Sequence, residues 1–399
     1  MAISEVIKVG AIPLIAALVG YATNWLAVRM MFRPMQPRGI GPFKWQGVIP
    51  AKAAKMGSIS VDTGLAKLGD MEEFYAELDP ERIAEHIVAH SRQDIRELTE
   101  QTIRREHPSL WGDLGPELRE EVHTRVQSQL PEIMHDITAA IGEHIDQLMD
   151  LKLMVVRHMG ENPILCNRIF SDVGEREFRF IVYSGGAFGF VLGLVQMGAY
   201  IAFPFFWILP VFGAFVGYAT NWLALNIIFR PVRPRKVGPF TIQGLFLRRQ
   251  DEVAETYASI ITDDVLTMRH LAQELMHGPK NDRTRELMRS RLRPSIDEAL
   301  GQVQPAVRLA VGSREYDAVR DELAVAAVEP AEDALTDPEF NEERSAVLRG
   351  LMAKRMAALP ATDFAELLRS AFEEDEWQLI AVGSVLGLFA GILQIATVF

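Results

Sequence analysis

Two histidines one helical turn apart have the types and the spacing closest to a metal-binding motif in this chain. His86 and His90 follow Glu85, and residues four apart share one face of a helix, where two imidazoles can hold one ion. The corresponding region of the second half has only His270 and His277, without a copy of the pair. We therefore favour a solvated helix face, and the sequence predicts no metal and no cofactor.

Motifs for catalysis are absent from the sequence. It contains no Walker-type glycine loop, no G-x-S-x-G elbow, no H-E-x-x-H and no dinucleotide fingerprint. Cys166 is the single cysteine, which excludes an intramolecular disulfide and a thiolate metal cluster. We expect it to be a small packing residue of an amphipathic helix. The sequence predicts that the protein is not an enzyme.

Four uncharged amide side chains lie within long apolar segments: Asn24, Gln196, Asn221 and Gln394. Polar groups are costly in lipid unless they are paired. The favoured interpretation is hydrogen bonding between helices, worth roughly 0.6–2 kcal/mol for each amide. The alternative is that the amides line a pathway or a lipid headgroup site.

Lysine and arginine are concentrated directly after two of the apolar segments, in the first collar (residues 29–55) and the second collar (residues 230–249). These cations serve either as topology determinants, which we favour, or as ligands of anionic lipid headgroups, at about 1 kcal/mol for each one near the surface. The candidate headgroup residues are Arg33, Arg38, Lys44, Arg230, Arg233, Arg235 and Lys236.

The segments that carry these residues occur twice. Gly20-Tyr-Ala-Thr-Asn-Trp-Leu-Ala27 returns unchanged at 217–224, and the Phe-Arg-Pro, Gly-Pro-Phe and Gln-Gly marks follow both copies. From Gly20 to Gly47, 18 of 28 positions are identical at a fixed offset of 197. The chain is therefore predicted to be an internal duplication with a period near half its length.

Apolar segments of spanning length number four. A helix needs roughly 20 apolar residues to cross a bilayer, and we predict spanning helices at about 7–30, 179–202, 205–229 and 379–399. The first segment also resembles a cleaved signal peptide. Because Gly20–Gly47 has an internal counterpart far from any cleavage site, we expect the segment to stay in the mature protein.

Two of the spanning segments carry a glycine at every fourth position. The strips are Gly185, Gly189 and Gly193, followed by Gln196, and Gly383, Gly387 and Gly391, followed by Gln394. Small residues at this spacing allow two helix backbones to approach closely in lipid. The repeat is thus a spanning helix, a collar, a soluble body and a glycine-striped spanning helix. Since each unit crosses twice, the two copies are predicted to be parallel.

Helical depth predicts which amides meet. Asn24 lies near one surface and Gln196 about 25 Å from that surface at 1.5 Å per residue, so these two are too far apart to bond. Parallel repeats instead place Asn24 level with Asn221, and Gln196 level with Gln394. We expect the twin copies to meet.

The bodies between the spanning segments are acidic and show helical apolar spacing without a convincing strand. The predicted boundaries are 1–57 for helix one and the first collar, 58–178 for body one, 179–250 for helices two and three with the second collar, 251–377 for body two, and 378–399 for helix four. The basic collars place both bodies in the cytoplasm, with a periplasmic arrangement as the alternative. Acidic bodies, in a chain of net charge −12, argue against nucleic acid as a partner.

The repeated GYATNWLA, the FRP, GPF and QG marks, and the glycine-striped helix that ends in glutamine resemble a bacterial membrane-protein family catalogued as domain of unknown function 445. The resemblance covers both copies. It implies an all-α integral protein of the bacterial inner membrane with large helical soluble parts, and it supplies no activity and no catalytic residues. The two halves differ at Arg29, where the second copy has Asn226, and at Pro50-Ala51-Lys52, where it has Leu247-Arg248-Arg249.

Two function classes remain beside the disfavoured enzyme. A membrane-anchored scaffold or envelope-organisation protein is favoured by the large helical bodies. A lipid-handling or transport protein is favoured by the duplicated membrane unit, and with four spanning helices it would need an oligomer or a tunnel through the bodies. The expected partners are membrane lipids, together with a second copy or another protein bound through the bodies.

Overall fold

The computed structural model is 84% helical, and the predicted all-α class of membrane protein is confirmed. The structure describes residues 9–40, 43–106, 115–300, 304, 308, 312–326, 328–373 and 376–398. Gly41 and Pro42 of the first Gly-Pro-Phe mark therefore lie outside the described residues.

The chain divides into two compact units, and each draws on both halves of the sequence. Unit 1 holds Met1–Lys67, Val155–Tyr257 and Ala353–Phe399, and unit 2 holds Leu68–Met154 and Ala258–Met352.

The elements of the first half are α1 (Ile12–Phe32), β1 (Arg38–Ile40), β2 (Phe43–Trp45), α2 (Val48–Ala51), α3 (Ala53–Ile59), a π-helical segment (Ser60–Leu65), α4 (Ala66–Leu68), α5 (Met71–Glu77), α6 (Pro80–Glu106), α7 (Pro116–Glu143), α8 (Ile145–Leu148), α9 (Leu151–Glu161), α10 (Pro163–Val173) and α11 (Glu175–Ala202). Those of the second half are α12 (Ile208–Phe229), β3 (Arg235–Val237), β4 (Phe240–Ile242), α13 (Leu245–Arg248), α14 (Gln250–Asp264), α15 (Met268–His277), α16 (Asn281–Leu300), α17 (Ser313–Ala326), α18 (Val328–Ala334), α19 (Pro338–Ala357), α20 (Ala361–Glu373) and α21 (Glu376–Val398).

Four of these helices, α1, α11, α12 and α21, are long and apolar enough to cross a membrane, as predicted. Helices α1 and α12 each end where an extended arginine precedes a proline, because the residue before proline avoids the helical region. Helix α11 begins at Glu175, four residues before the predicted start. Glu175 and Glu177 favour the helix N-terminus, which hydropathy does not detect.

The spanning helices pack as two pairs within unit 1. Helix α1 lies along α11 and α12 lies along α21, and the pairs meet through α11 with α12 and through α1 with α21 and α12. Ile12 and Leu209 are fully buried where the pairs meet. Large apolar side chains such as Leu18, Val195 and Leu393 point outward and are more than half exposed, as side chains that face lipid should be.

Each collar contains a small antiparallel hairpin that the sequence analysis overlooked. Strand β1 pairs with β2 and β3 with β4, in the same register at corresponding positions. Gly238 has a φ of +61° at the turn of the second hairpin, a conformation that favours glycine. A Cβ on Gly47 or Gly244 would lie 2.8 Å from backbone atoms at the end of α1 or α12, which explains the repeated glycine of the Gln-Gly mark.

The interior of unit 2 is apolar and rich in methionine. Helices α5, α6 and α7 from the first half pack with α15, α16 and α18 from the second. The cavity in this core measures ≈ 50 Å³.

Candidate functional site

The two glycine strips lie where the paired spanning helices touch. Gly185, Gly189 and Gly193 of α11 face α1, and Gly383, Gly387 and Gly391 of α21 face α12. A Cβ on Gly189 would lie 2.5 Å from the carbonyl oxygen of Ala16, and one on Gly391 would lie 2.5 Å from that of Leu209. Side chains do not approach so closely, so each glycine permits backbone contact.

The buried asparagines bond the backbone of the helix paired with their own. The Asn24 side-chain amide donates to the carbonyl of Ile181 at 2.7 Å, and the Asn221 amide donates to that of Leu379 at 2.7 Å. No hydrogen bond joins Asn24 with Asn221, so the predicted asparagine pair is wrong. The physical reason is the glycine strip, because the absent side chain at Gly185 lets the amide reach a backbone carbonyl. The Oδ1 atoms of both asparagines are buried and accept no hydrogen bond from the described part of the chain.

The glutamines do meet, as predicted. The Gln196 amide lies 3.4 Å from the Oε1 atom of Gln394 and 3.4 Å from the carbonyl oxygen of Leu209. Both side chains are buried, which places a polar contact between α11 and α21 inside the bundle.

A buried ion pair that the sequence analysis missed joins the second collar to α11. Glu177 is 2% exposed, and its two carboxylate oxygens accept from Arg249 at 2.8 and 3.0 Å. Arg249 also donates to Glu252 at 2.8 and 2.9 Å, and this ion pair holds the pKa of the Glu252 carboxyl below its ordinary value. The signal in the sequence was the pair of acids, Glu175 and Glu177, directly before an apolar segment.

The candidate headgroup cations differ from these paired arginines. All seven are exposed, and in the described structure none of them forms an ion pair with a carboxylate. Elsewhere in unit 1, Arg176 pairs with Glu252 at 3.1 Å and Arg369 with Glu376 at 3.0 Å. The collars therefore carry positive charge that the protein leaves without a carboxylate partner.

Part of the second collar lines an open groove of ≈ 650 Å³. Its polar lining comes from Asn226 and Thr362 and from three arginines, Arg230, Arg233 and Arg235. Its apolar lining includes Ile227, at the end of α12, together with Val232 and Ile242. A guanidinium group can donate two parallel hydrogen bonds to one phosphate, and apolar side chains beside it suit the start of an acyl chain.

The first collar has a different set of side chains at corresponding positions. Gln36 stands where the second copy has Arg233, and Gly39 where it has Lys236. Arg29, which replaces Asn226, lies over the ring of Trp25 at 5.3 Å from its centroid.

The histidine pair of the sequence analysis lies in unit 2, on α6, and the structure brings a third ligand type to it. One nitrogen of His86, one nitrogen of His90 and one carboxylate oxygen of Asp337 lie within 4.8 Å of one another. Sequence alone did not connect these residues, because Asp337 follows in a distant part of the chain.

Cys166 lies on α10 and is fully buried, with its Sγ 3.8 Å from the sulfur of Met56. Burial raises the pKa of the thiol to about 12. The expected packing role is therefore confirmed.

Comparisons with known proteins give bacterial membrane proteins as relatives. A UPF0754 membrane protein of Shouchella clausii is 33% identical over 165 residues, which cover 35% of this chain and 43% of the relative. One of Cyanothece sp. is 29% identical over 99 residues, covering 24% of each chain. One of Picosynechococcus sp. is 38% identical over 81 residues, covering 18% of this chain and 20% of the relative.

These matches are partial, since the chain spans less than half the length of the curated relatives it matches. No family model matches the chain, and the assignment to domain of unknown function 445 stays a prediction. No solved structure matches it. The names of the relatives and the four apolar helices together support a membrane protein.

Proposed function

We propose that the protein is a non-enzymatic, membrane-anchored scaffold whose collars bind the headgroups of anionic lipids. The observation that carries this proposal is the set of seven exposed collar cations, which have no carboxylate partner among the residues that the structure describes. Three of them, Arg230, Arg233 and Arg235, line one groove at the end of an apolar helix. Lipid phosphate would relieve their mutual repulsion, and each cation near an anionic surface contributes about 1 kcal/mol.

The soluble parts support the scaffold interpretation. The cavity in the unit 2 core, at ≈ 50 Å³, is far below the roughly 300–1,000 Å³ of ligand pockets and does not admit an acyl chain. A packed core of this kind suits a support for protein partners or for a second copy of the chain. Native mass spectrometry of the full chain in detergent would report both bound lipid and oligomeric state.

The proposal includes the arrangement in the membrane. We infer that the two halves are parallel repeats, with the soluble parts on the cytoplasmic side of the bacterial inner membrane. Matching hydrogen bonds of Asn24 and Asn221 and matching hairpins support the repeats, and the basic collars support the orientation.

A cysteine placed at the exposed Ser290, in a background where Cys166 is replaced by serine, tests the orientation in intact cells. We expect a membrane-impermeant maleimide to label the variant only after lysis. Labelling of intact cells would place unit 2 outside.

The headgroup site is tested by lipid retention. The triple variant Arg230→Gln, Arg233→Gln, Arg235→Gln removes the charge of the groove. The matched control, Arg92→Gln, Arg291→Gln, Arg314→Gln, removes the same charge from exposed arginines of unit 2. Each protein is reconstituted in nanodiscs that contain anionic and zwitterionic lipid and is then purified from them. We expect the groove variant to retain several-fold less anionic phospholipid than the wild type.

The control should retain the wild-type amount, and zwitterionic lipid should be unchanged in all three proteins. Equal loss of anionic lipid in both triple variants would assign the effect to net charge and would refute a headgroup site in the groove.

A lipid-handling or transport function of an oligomer is the second candidate. It is favoured by the unpartnered, buried Oδ1 atoms of Asn24 and Asn221, which leave two acceptors inside the bundle. Transfer of lipid between the two leaflets of proteoliposomes would support this function over the scaffold if the transfer depends on both asparagines.

A further inference from the structure

Three side chains of unit 2 are arranged as the ligands of a metal ion. His86 and His90 project from the same face of α6, and Asp337 immediately precedes α19. The Nε2 atom of His90 lies 3.8 Å from Oδ2 of Asp337, and the three candidate ligand atoms lie within 4.8 Å of one another. Ligands of a tetrahedral zinc ion with bonds of 2.0–2.1 Å stand about 3.3 Å apart, so small side-chain movements would close the site.

The hydrogen bonds of the two imidazoles are those that metal-bound histidines make. The Nε2 atom of His86 lies 3.0 Å from the carbonyl oxygen of Ala334, and Nδ1 of His90 lies 3.0 Å from that of His86. A carbonyl accepts only, so each of these nitrogens is the protonated one in the neutral ring. The lone pairs then fall on Nδ1 of His86 and Nε2 of His90, which are free to bind an ion.

The remaining contacts hold the ligands in place. The His86 ring stacks on Phe340 at 3.9 Å between centroids, with an angle of 7° between the planes. Oδ1 of Asp337 accepts the backbone N–H groups of Glu339 and Phe340 at 2.8 and 3.0 Å, which leaves Oδ2 for a ligand.

We propose that His86, His90 and Asp337 bind one divalent transition-metal ion, with Zn²⁺ as the ion that fits best. Two imidazoles and one carboxylate suit zinc and its neighbours better than Mg²⁺ or Ca²⁺, which take oxygen ligands. His90 is 49% exposed, so solvent can supply the fourth ligand. The ion would tie α6, from the first half of the chain, to the start of α19, from the second. This proposal is independent of the headgroup site.

Metal binding is measured on the full chain, purified in detergent without a histidine tag and stripped of metal. Competition with a chromophoric chelator gives the Zn²⁺ affinity and stoichiometry, and Co²⁺ gives visible absorption bands that report tetrahedral coordination. The ligand variants are His90→Ala and Asp337→Asn. Asparagine keeps an oxygen to accept the N–H groups at the start of α19, so this variant should fold.

His277→Ala is the matched control, because His277 also lies beside a carboxylate, at 2.9 Å from Glu332, but has no second imidazole. We expect one Zn²⁺ per wild-type chain, at least a tenfold weaker affinity in each ligand variant, and the wild-type affinity in the control. Circular dichroism of the metal-free variants checks their folding.

Absence of saturable Zn²⁺ binding and of Co²⁺ bands in the wild type would overturn the site without any variant. Retention of the wild-type affinity in both ligand variants would overturn it equally.

Discussion

Replacing Gly189 by alanine tests whether backbone contact holds α1 against α11. The added Cβ would lie 2.5 Å from the carbonyl oxygen of Ala16 and 3.2 Å from the Cα of Ala17. Ordinary contact begins at 3.4 Å, so the two helices must separate by about 1 Å, since both close atoms belong to the backbone. Overpacking of this kind costs about 1–3 kcal/mol.

Separation also stretches the hydrogen bond from Asn24 to Ile181, which is 2.7 Å long in the wild type. Hydrogen bonds between helices in membranes contribute about 0.6–1.7 kcal/mol. The two effects together predict a loss of about 2–5 kcal/mol. At roughly 2–4 °C for each kcal/mol, the melting temperature should fall by about 4–20 °C.

The single cysteine provides the assay. Cys166 is fully buried in unit 1, so a thiol-reactive dye that fluoresces on reaction reports unfolding during a temperature ramp in detergent. Gly198→Ala is the control on the same helix, because a Cβ there meets nothing within 4 Å. The control should melt at or slightly above the wild-type temperature. Equal melting temperatures for the Gly189 and Gly198 variants would refute close packing at the strip.

Two further predictions concern ion pairs. Glu177→Gln should cost about 1–3 kcal/mol, because Arg249 loses a buried charged partner but keeps Glu252. Glu175→Gln, which breaks an exposed pair with Arg179 on the same helix, should cost less than about 0.5 kcal/mol by the same melting assay, and equal effects would contradict the buried role. In unit 2, Arg293 lies 2.7 Å from Asp321 and holds the pKa of that carboxyl below its ordinary value. The stabilisation is present above the pKa of Asp321 in the unfolded chain and is lost as pH falls through its pKa in the folded protein. Asp321→Asn should therefore lose less stability than the wild type between about pH 5 and pH 3. Identical pH profiles of stability would contradict this.

Hydropathy was sufficient to predict the membrane helices, because crossing a bilayer imposes a length and an apolar composition on each segment. The predicted segments 179–202 and 205–229 correspond to Glu175–Ala202 and Ile208–Phe229. The same signal does not detect a charged first turn that continues the helix, which is why Glu177 was missed. Three-residue strands in a proline- and glycine-rich collar also have too little alternation to recognise.

Contacts between distant parts of the chain were harder to predict. Composition showed that Asn24 is polar and lies in an apolar helix, but it did not show which groove the side chain enters. A backbone carbonyl was available because Gly185 has no side chain, and the side-chain pairing argument considered only other amides. The approach of Asp337 to His90 depends on the packing of α6 with the start of α19, which no local pattern encodes.

The structure separates two kinds of position in the duplicated segment. Positions that are identical in both copies include those where backbone approaches backbone: a Cβ on Gly20 or Gly217 would collide with Gly185 or Gly383, and Gly47 and Gly244 lie against a helix end. Asn24 and Asn221 are identical because each amide reaches a carbonyl of the paired helix.

Two of the differing positions of the collars lie on the exposed surface instead. Gln36 against Arg233 and Gly39 against Lys236 are exposed in both copies, so packing does not require either residue. Thr362, which lines the groove beside Arg233, comes from outside the duplicated stretch. Each collar carries six cations, but five of those in the second collar are arginine against three in the first, and three of the five line one groove. We therefore expect anionic lipid to bind more tightly at the second collar than at the first, and lipid retention should fall less in an Arg33→Gln, Arg38→Gln, Lys44→Gln variant than in the groove variant.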